Sequence, residues 1–108
     1  MSQRLHLLQQ ILEKSPQDAF ALFAVAKEHE KAGDLEQALA FYLRLQTADP
    51  GYVGLYYHLG KLYEKLGRPA EAIQTYRIGI NVARTAGDNH AWSELNGARM
   101  EIDDDDEF

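Results

Sequence analysis

The sequence predicts an all-α fold, an array of about six antiparallel helices arranged as helix–turn–helix repeats. Two observations carry this expectation. The pattern K-x-x-E-K-x-G-x-x-x-x-A-x-x-x-Y is met by residues 27–42 and again by residues 61–76. Glycine stop signals followed by capping residues recur at the boundaries, and between them apolar residues return every three or four positions.

The paired positions are Lys27/Lys61, Glu30/Glu64, Lys31/Lys65, Gly33/Gly67, Ala38/Ala72 and Tyr42/Tyr76, each pair 34 residues apart, and Pro16/Pro50 keep the same offset. Stepping back by one period makes residues 4–16 the second helix of an incomplete repeat. Leu8 and Ile11 then take its aromatic and small slots, and Arg4 stands where the later repeats have alanine. The next helix carries Leu22, Val25, Ala26 and His29 at helical spacing. Gly33 supplies its left-handed terminus, and Asp34 caps the following helix with Gln37 three residues on. That helix has Leu35, Ala38, Leu39, Tyr42 and Leu45 along one side. The second repeat opens with Tyr56, Leu59, Gly60 and Tyr63, and Gly67 ends its first helix. Pro69 suits the first turn of the next helix, where Glu71 can meet the free amides. Its stripe is Ala72, Ile73, Tyr76 and Ile80. Ala86-Gly87-Asp88 is a further stop and cap. Residues 89–102 form a last helix, with Ala91, Leu95, Ala98 and Ile102 on one face. The helix opened by Pro69 is expected to be about two residues longer than its counterpart, by comparison along the 34-residue period.

At 108 residues the chain is one domain, organised as a half repeat (1–16), two repeats (17–50 and 51–87), a capping helix (88–102) and an acidic, disordered tail (103–108). Five of the six net negative charges lie in residues 103–107, which leaves residues 1–102 at −1. A nearly neutral body, in a chain whose pI is near 5.1, argues against nucleic-acid binding. No apolar run approaches the ~20 residues that span a bilayer. The N-terminus lacks the apolar core and cleavage site of a signal peptide. Without cysteine there are no disulfides, thiol nucleophiles or cysteine metal sites, which fits a reducing, cytoplasmic setting.

These repeats resemble the tetratricopeptide repeat family, whose signature is W-x2-L-G-x2-Y, then A-x3-F, then P. The second repeat has Tyr56 in the Trp slot, Leu59-Gly60, Tyr63, Ala72 and Tyr76, with Arg84 in place of the final proline. The first has Leu22, Val25-Ala26, His29, Ala38, Tyr42 and Pro50 in the corresponding places. The resemblance implies a right-handed array in which Gly60, Ala26, Ala38 and Ala72 allow close helix approach, and Tyr42 and Tyr76 fill the gap between repeats. His29, in a Tyr slot, is then a packing residue.

No catalytic machinery is expected. No two of the four histidines lie three or four apart, no metal or cofactor motif occurs, and the glycines have cap and crossing spacing rather than that of a phosphate loop. In the family the first helix of each repeat lines a groove for a partner's peptide or helix. Mapping that face gives Phe20, Phe23 and Lys27 from the first repeat, and Tyr57, His58, Lys61 and Lys65 from the second. Trp92, Asn96 and Arg99 of the last helix are further candidates, with Trp92-x2-Leu95 reading equally as a buried core pair. Aromatics and lysines suit a partner with apolar and acidic side chains. The plainer reading pairs Lys27 with Glu30 and Lys61 with Glu64 along their own helices as a solvated face. Lys27 and Lys61 stand where the family's carboxylate clamp would have asparagine, so recognition of chaperone tails is not implied. Two functions remain at this point. One is a non-catalytic adaptor that binds a protein or peptide in its groove. The other is a self-associating module, a weak homo-oligomer formed through open repeat ends.

Overall fold

The computed structural model of the chain describes residues 3–103. Its described residues form six α-helices and no strand: α1 (Gln3–Lys14), α2 (Ala19–Lys31), α3 (Leu35–Ala48), α4 (Gly54–Lys65), α5 (Pro69–Ala86) and α6 (Asn89–Ile102). They fall into two compact units, one holding α1–α3 and the other α4–α6, divided after Pro50.

In the first unit, α2 packs against both α1 and α3. Asp18 starts α2 by accepting a hydrogen bond from the Ala21 N–H at 2.9 Å, and Asp34 starts α3 by accepting from the Gln37 N–H at 3.3 Å. Each satisfies an amide that the first turn leaves without a partner. Between them Gly33 adopts φ 83°, and the Asp34 N–H donates to the His29 carbonyl at 2.9 Å, closing α2. The core combines Leu5, Leu8 and Leu12 of α1 with Leu22, Val25 and Ala26 of α2 and Ala38, Tyr42 and Leu45 of α3. Ile11 departs from its expected small slot, because it is 41% exposed and Leu12 is buried instead. In a complete repeat that slot faces the preceding first helix, and no described helix precedes α1.

In the second unit α5 packs against α4 and α6, and α6 also reaches α4. Gly60 permits the α4–α5 crossing: a Cβ there would lie 2.6 Å from Cδ1 of the buried Tyr76 ring. Pro69 occupies the start of α5 as expected. Glu71 does not serve the free amides, since its carboxylate accepts from Arg68 Nε at 2.9 Å. Helix α5 has 18 residues where α3 has 14. Pro50 disfavours a helical Asp49 and stops α3, whereas Arg84 in the matching slot lets α5 run on to Gly87. Asp88 caps α6 by accepting from the Ala91 N–H at 3.0 Å.

Asp103, expected to begin a solvated tail, is buried at the end of α6. Its carboxylate meets Arg77 Nη2 at 2.5 Å and Arg99 Nη1 at 3.4 Å. Two guanidinium groups offset the cost of burying it. The rest of the expected tail, residues 104–108, lies outside the described residues.

Candidate functional site

The helices α2 and α4 each bury one stripe and turn the other outward. On α2 the buried stripe is Ala21, Leu22, Val25 and Ala26. The outward residues begin with Phe20, 60% exposed, and continue through the half-buried Phe23 and Lys27 to the exposed Lys31. The Phe23 ring leans on Tyr42, with centroids 6.1 Å apart and planes at 55°. Tyr42 is itself buried, and its hydroxyl donates to Glu30 Oε1 at 2.9 Å. Burial first, and then this bond to a carboxylate, push the Tyr42 phenol far above its ordinary range. His29 is a packing residue as expected, stacked on Phe41 at 5.5 Å.

Helix α4 repeats the arrangement. Tyr56, Leu59, Gly60 and Tyr63 are buried, and Tyr57, His58 and Lys61 are half-buried beside the exposed Lys65. Tyr57 and His58 meet edge to face at 5.8 Å, and Lys61 Nζ lies 5.6 Å from the Tyr57 ring centroid. Lys61 also pairs with Glu64 at 3.8 Å. The Tyr76 hydroxyl donates to Glu64 Oε2. Burial, then that hydrogen bond, raise the Tyr76 phenol far above its usual range as well.

The three α6 candidates sit differently. Trp92 is 37% exposed, which removes the core reading, and it lines a cleft of about 320 Å³ with Arg84 and Asn89. The Arg99 side chain is only 14% exposed, and its Nη2 donates to Asn96 Oδ1 at 2.8 Å while Nη1 holds Asp103. Its charge is therefore spent inside the unit, and Asn96 is its positioner. An open apolar cleft of about 510 Å³ in the first unit lies on another face, between the α2 start and α3, lined by Pro16, Leu22, Leu43 and Thr47 among others.

Sequence reasoning missed the tyrosine–glutamate bonds. Their signal was present as Glu30-x11-Tyr42 and Glu64-x11-Tyr76, one period apart. Among the described residues no three His, Cys, Asp or Glu side chains gather to hold a metal ion. No described helix is long and apolar enough to cross a membrane.

Two tetratricopeptide repeat family models match the chain, over residues 31–93 and 5–53. A crystal structure of a tetratricopeptide repeat domain protein from Salinibacter ruber is 48% identical, with a TM-score of 0.75, covering 79% of this chain and 94% of that one. Its solution structure gives 48% identity and a TM-score of 0.76 over 81% and 88% of the two chains. A protein from Bordetella parapertussis shares the fold at 23% identity, with a TM-score of 0.81 over 98% of this chain and 92% of that one. A comparison with curated proteins found no match.

Proposed function

The chain belongs to the tetratricopeptide repeat family, and from that premise we propose that it is a non-catalytic adaptor whose α2 and α4 faces receive a partner's peptide or helix. Domains of this family are generally protein–protein interaction modules and generally non-catalytic. The observation that carries the proposal is the duplicated row on the first helices: Phe23 and Tyr57, then Lys27 and Lys61, then Glu30 and Glu64, then Lys31 and Lys65. In each row the glutamate accepts a hydrogen bond from a buried tyrosine, which pins one acidic point among the lysines.

A partner with an aromatic or aliphatic anchor followed by carboxylates fits such a row. The anchor meets Phe20 and Phe23, or Tyr57 and His58. In the first unit the carboxylates meet Lys27, and in the second they meet Lys61 and Lys65. The existing Lys61–Glu64 pair is half-exposed, and helix pairs of this spacing are worth only about 0.2–0.5 kcal/mol, so an incoming carboxylate can compete for the lysine. Exposed lysines set the approach rate and the sign preference more than the affinity. Binding is expected in the micromolar range, about −8 kcal/mol.

The test is selection from a random peptide library on the immobilised chain. Acidic peptides with an apolar anchor should be enriched, and Lys27→Glu with Lys61→Glu, or Phe23→Ala, should abolish the enrichment. Selected peptides that are basic, or that bind these variants as well as the parent chain, would overturn the proposal.

A further inference from the structure

In both complete repeats the second helix lays one face on the first helix of its own repeat. Phe41 of α3 stacks on His29, and Leu45 is fully buried. One period later Thr75 is buried, and a Cβ on Gly79 would lie 3.0 Å from Tyr56 Cγ. Helix α1 is a second helix in the same register, with Leu7 and Ile11 standing 34 residues before Phe41 and Leu45. No described helix covers that face, and Leu7 and Ile11 are 53% and 41% exposed. The buried face of α1, Leu5, Leu8 and Leu12, belongs to the core it shares with α2.

Helix α6 has the complementary lack. It packs on α4 and α5 as a first helix does, and its Leu95 Cδ1 would lie 3.1 Å from a Cβ on Gly79. Leu95 matches Leu59 of α4 in burial. With Leu95 in the Leu59 place, Trp92 takes the place of Tyr56 and Met100 the place of Glu64. Those are two residues by which α4 engages α5, Tyr56 against Gly79 and Glu64 with the Tyr76 hydroxyl. On α6 both are large and apolar, 37% and 56% exposed, and no described helix follows.

We propose that copies of this chain associate head to tail, with α6 of one copy seated on α1 of the next to complete a helical hairpin. The internal repeats supply the template: Trp92 falls over Ile11 as Tyr56 falls on Gly79, and Met100 falls beside Leu7 and Leu8. A second copy is favoured over a foreign helix because one chain carries both halves of the hairpin. Such a contact pairs two different faces, so it builds rings or open chains rather than a two-fold pairing of like faces. The association is independent of the α2 and α4 binding faces.

The test is light scattering on the intact chain over a concentration series. Mass should rise with concentration above that of the monomer. Ile11→Asp and Trp92→Asp should each remain monomeric, because each removes one face, and an equimolar mixture of the two should form a heterodimer and stop there. Both positions are exposed, and circular dichroism confirms that each variant is folded; Leu7→Asp and Met100→Asp replace any variant that is not. A constant monomer mass for the parent chain would overturn the proposal. So would assembly by either single variant, which indicates pairing of like faces, or a mixture that stays monomeric.

Discussion

Replacing Tyr76 by phenylalanine isolates the bond that fixes Glu64 in the aromatic and lysine row on α4. The ring is buried and keeps its packing in Tyr76→Phe, so the change removes only the hydroxyl and its donation to Glu64. Hydrogen bonds to charged groups contribute about 1.5–3 kcal/mol, and the lower end applies here because the Glu64 side chain, 27% exposed, regains water. A loss of roughly 1–2 kcal/mol is expected near neutral pH, or about 4–8 °C in Tm per kcal/mol for a domain of this size. The pH dependence gives a sharper signature. The folded chain holds the Tyr76 proton more tightly than the unfolded chain, since burial and Glu64 raise the phenol above its ordinary 10. The stabilisation is complete below pH 10 and is lost as pH rises above it, at about 1.4 kcal/mol per pH unit for each such tyrosine. Tyr76→Phe removes one of the two tyrosines with this behaviour, the other being Tyr42. Urea unfolding of both proteins between pH 7 and pH 11 should show a constant gap that begins to narrow near pH 10. A gap that stays constant through pH 11, or a variant as stable as the parent at pH 7, would refute the reasoning.

Three further outcomes follow from the packing. Gly60→Ala should cost roughly 1–3 kcal/mol in urea unfolding despite alanine's better helix propensity, because its Cβ would press on the Tyr76 ring. Ala72→Phe, at a fully buried position of α5, should lower the thermal midpoint strongly; an unchanged midpoint would contradict its placement at a close helix crossing. Asp103→Asn should weaken the α6 terminus by leaving Arg99 short of a buried counter-charge, seen as faster amide exchange across residues 95–102 with α2 unaffected.

The six helices and most of their ends were legible because a repeated sequence states its period twice. Gly33 and Gly67 mark the turns, and Asp34 and Asp88 mark the starts, in both readings. The face of α1 was not legible at Ile11, because whether that slot is buried depends on a neighbouring helix rather than on spacing. Asp103 looked like the first of a solvated acidic run, and only the fold brings Arg77, 26 residues away, to its carboxylate. Arg99 looked outward on helical spacing, but the same carboxylate draws it in. Trp92 carried two readings because the longer α5 shifts the register that the 34-residue step would assign. The glutamate partners of Tyr42 and Tyr76 could have been found in the sequence, since both members of each pair repeat at one offset.

The central claim, that α2 and α4 present a repeated aromatic and lysine row to a partner, is tested most directly by amide spectra of the labelled chain titrated with a library-selected acidic peptide. Shifts should concentrate in residues 20–31 and 54–65 and diminish as salt is raised, because exposed charge pairs are screened over about 8 Å at physiological ionic strength. Shifts concentrated instead around Leu43 of α3 and Ile78 of α5, or a titration indifferent to salt, would contradict it.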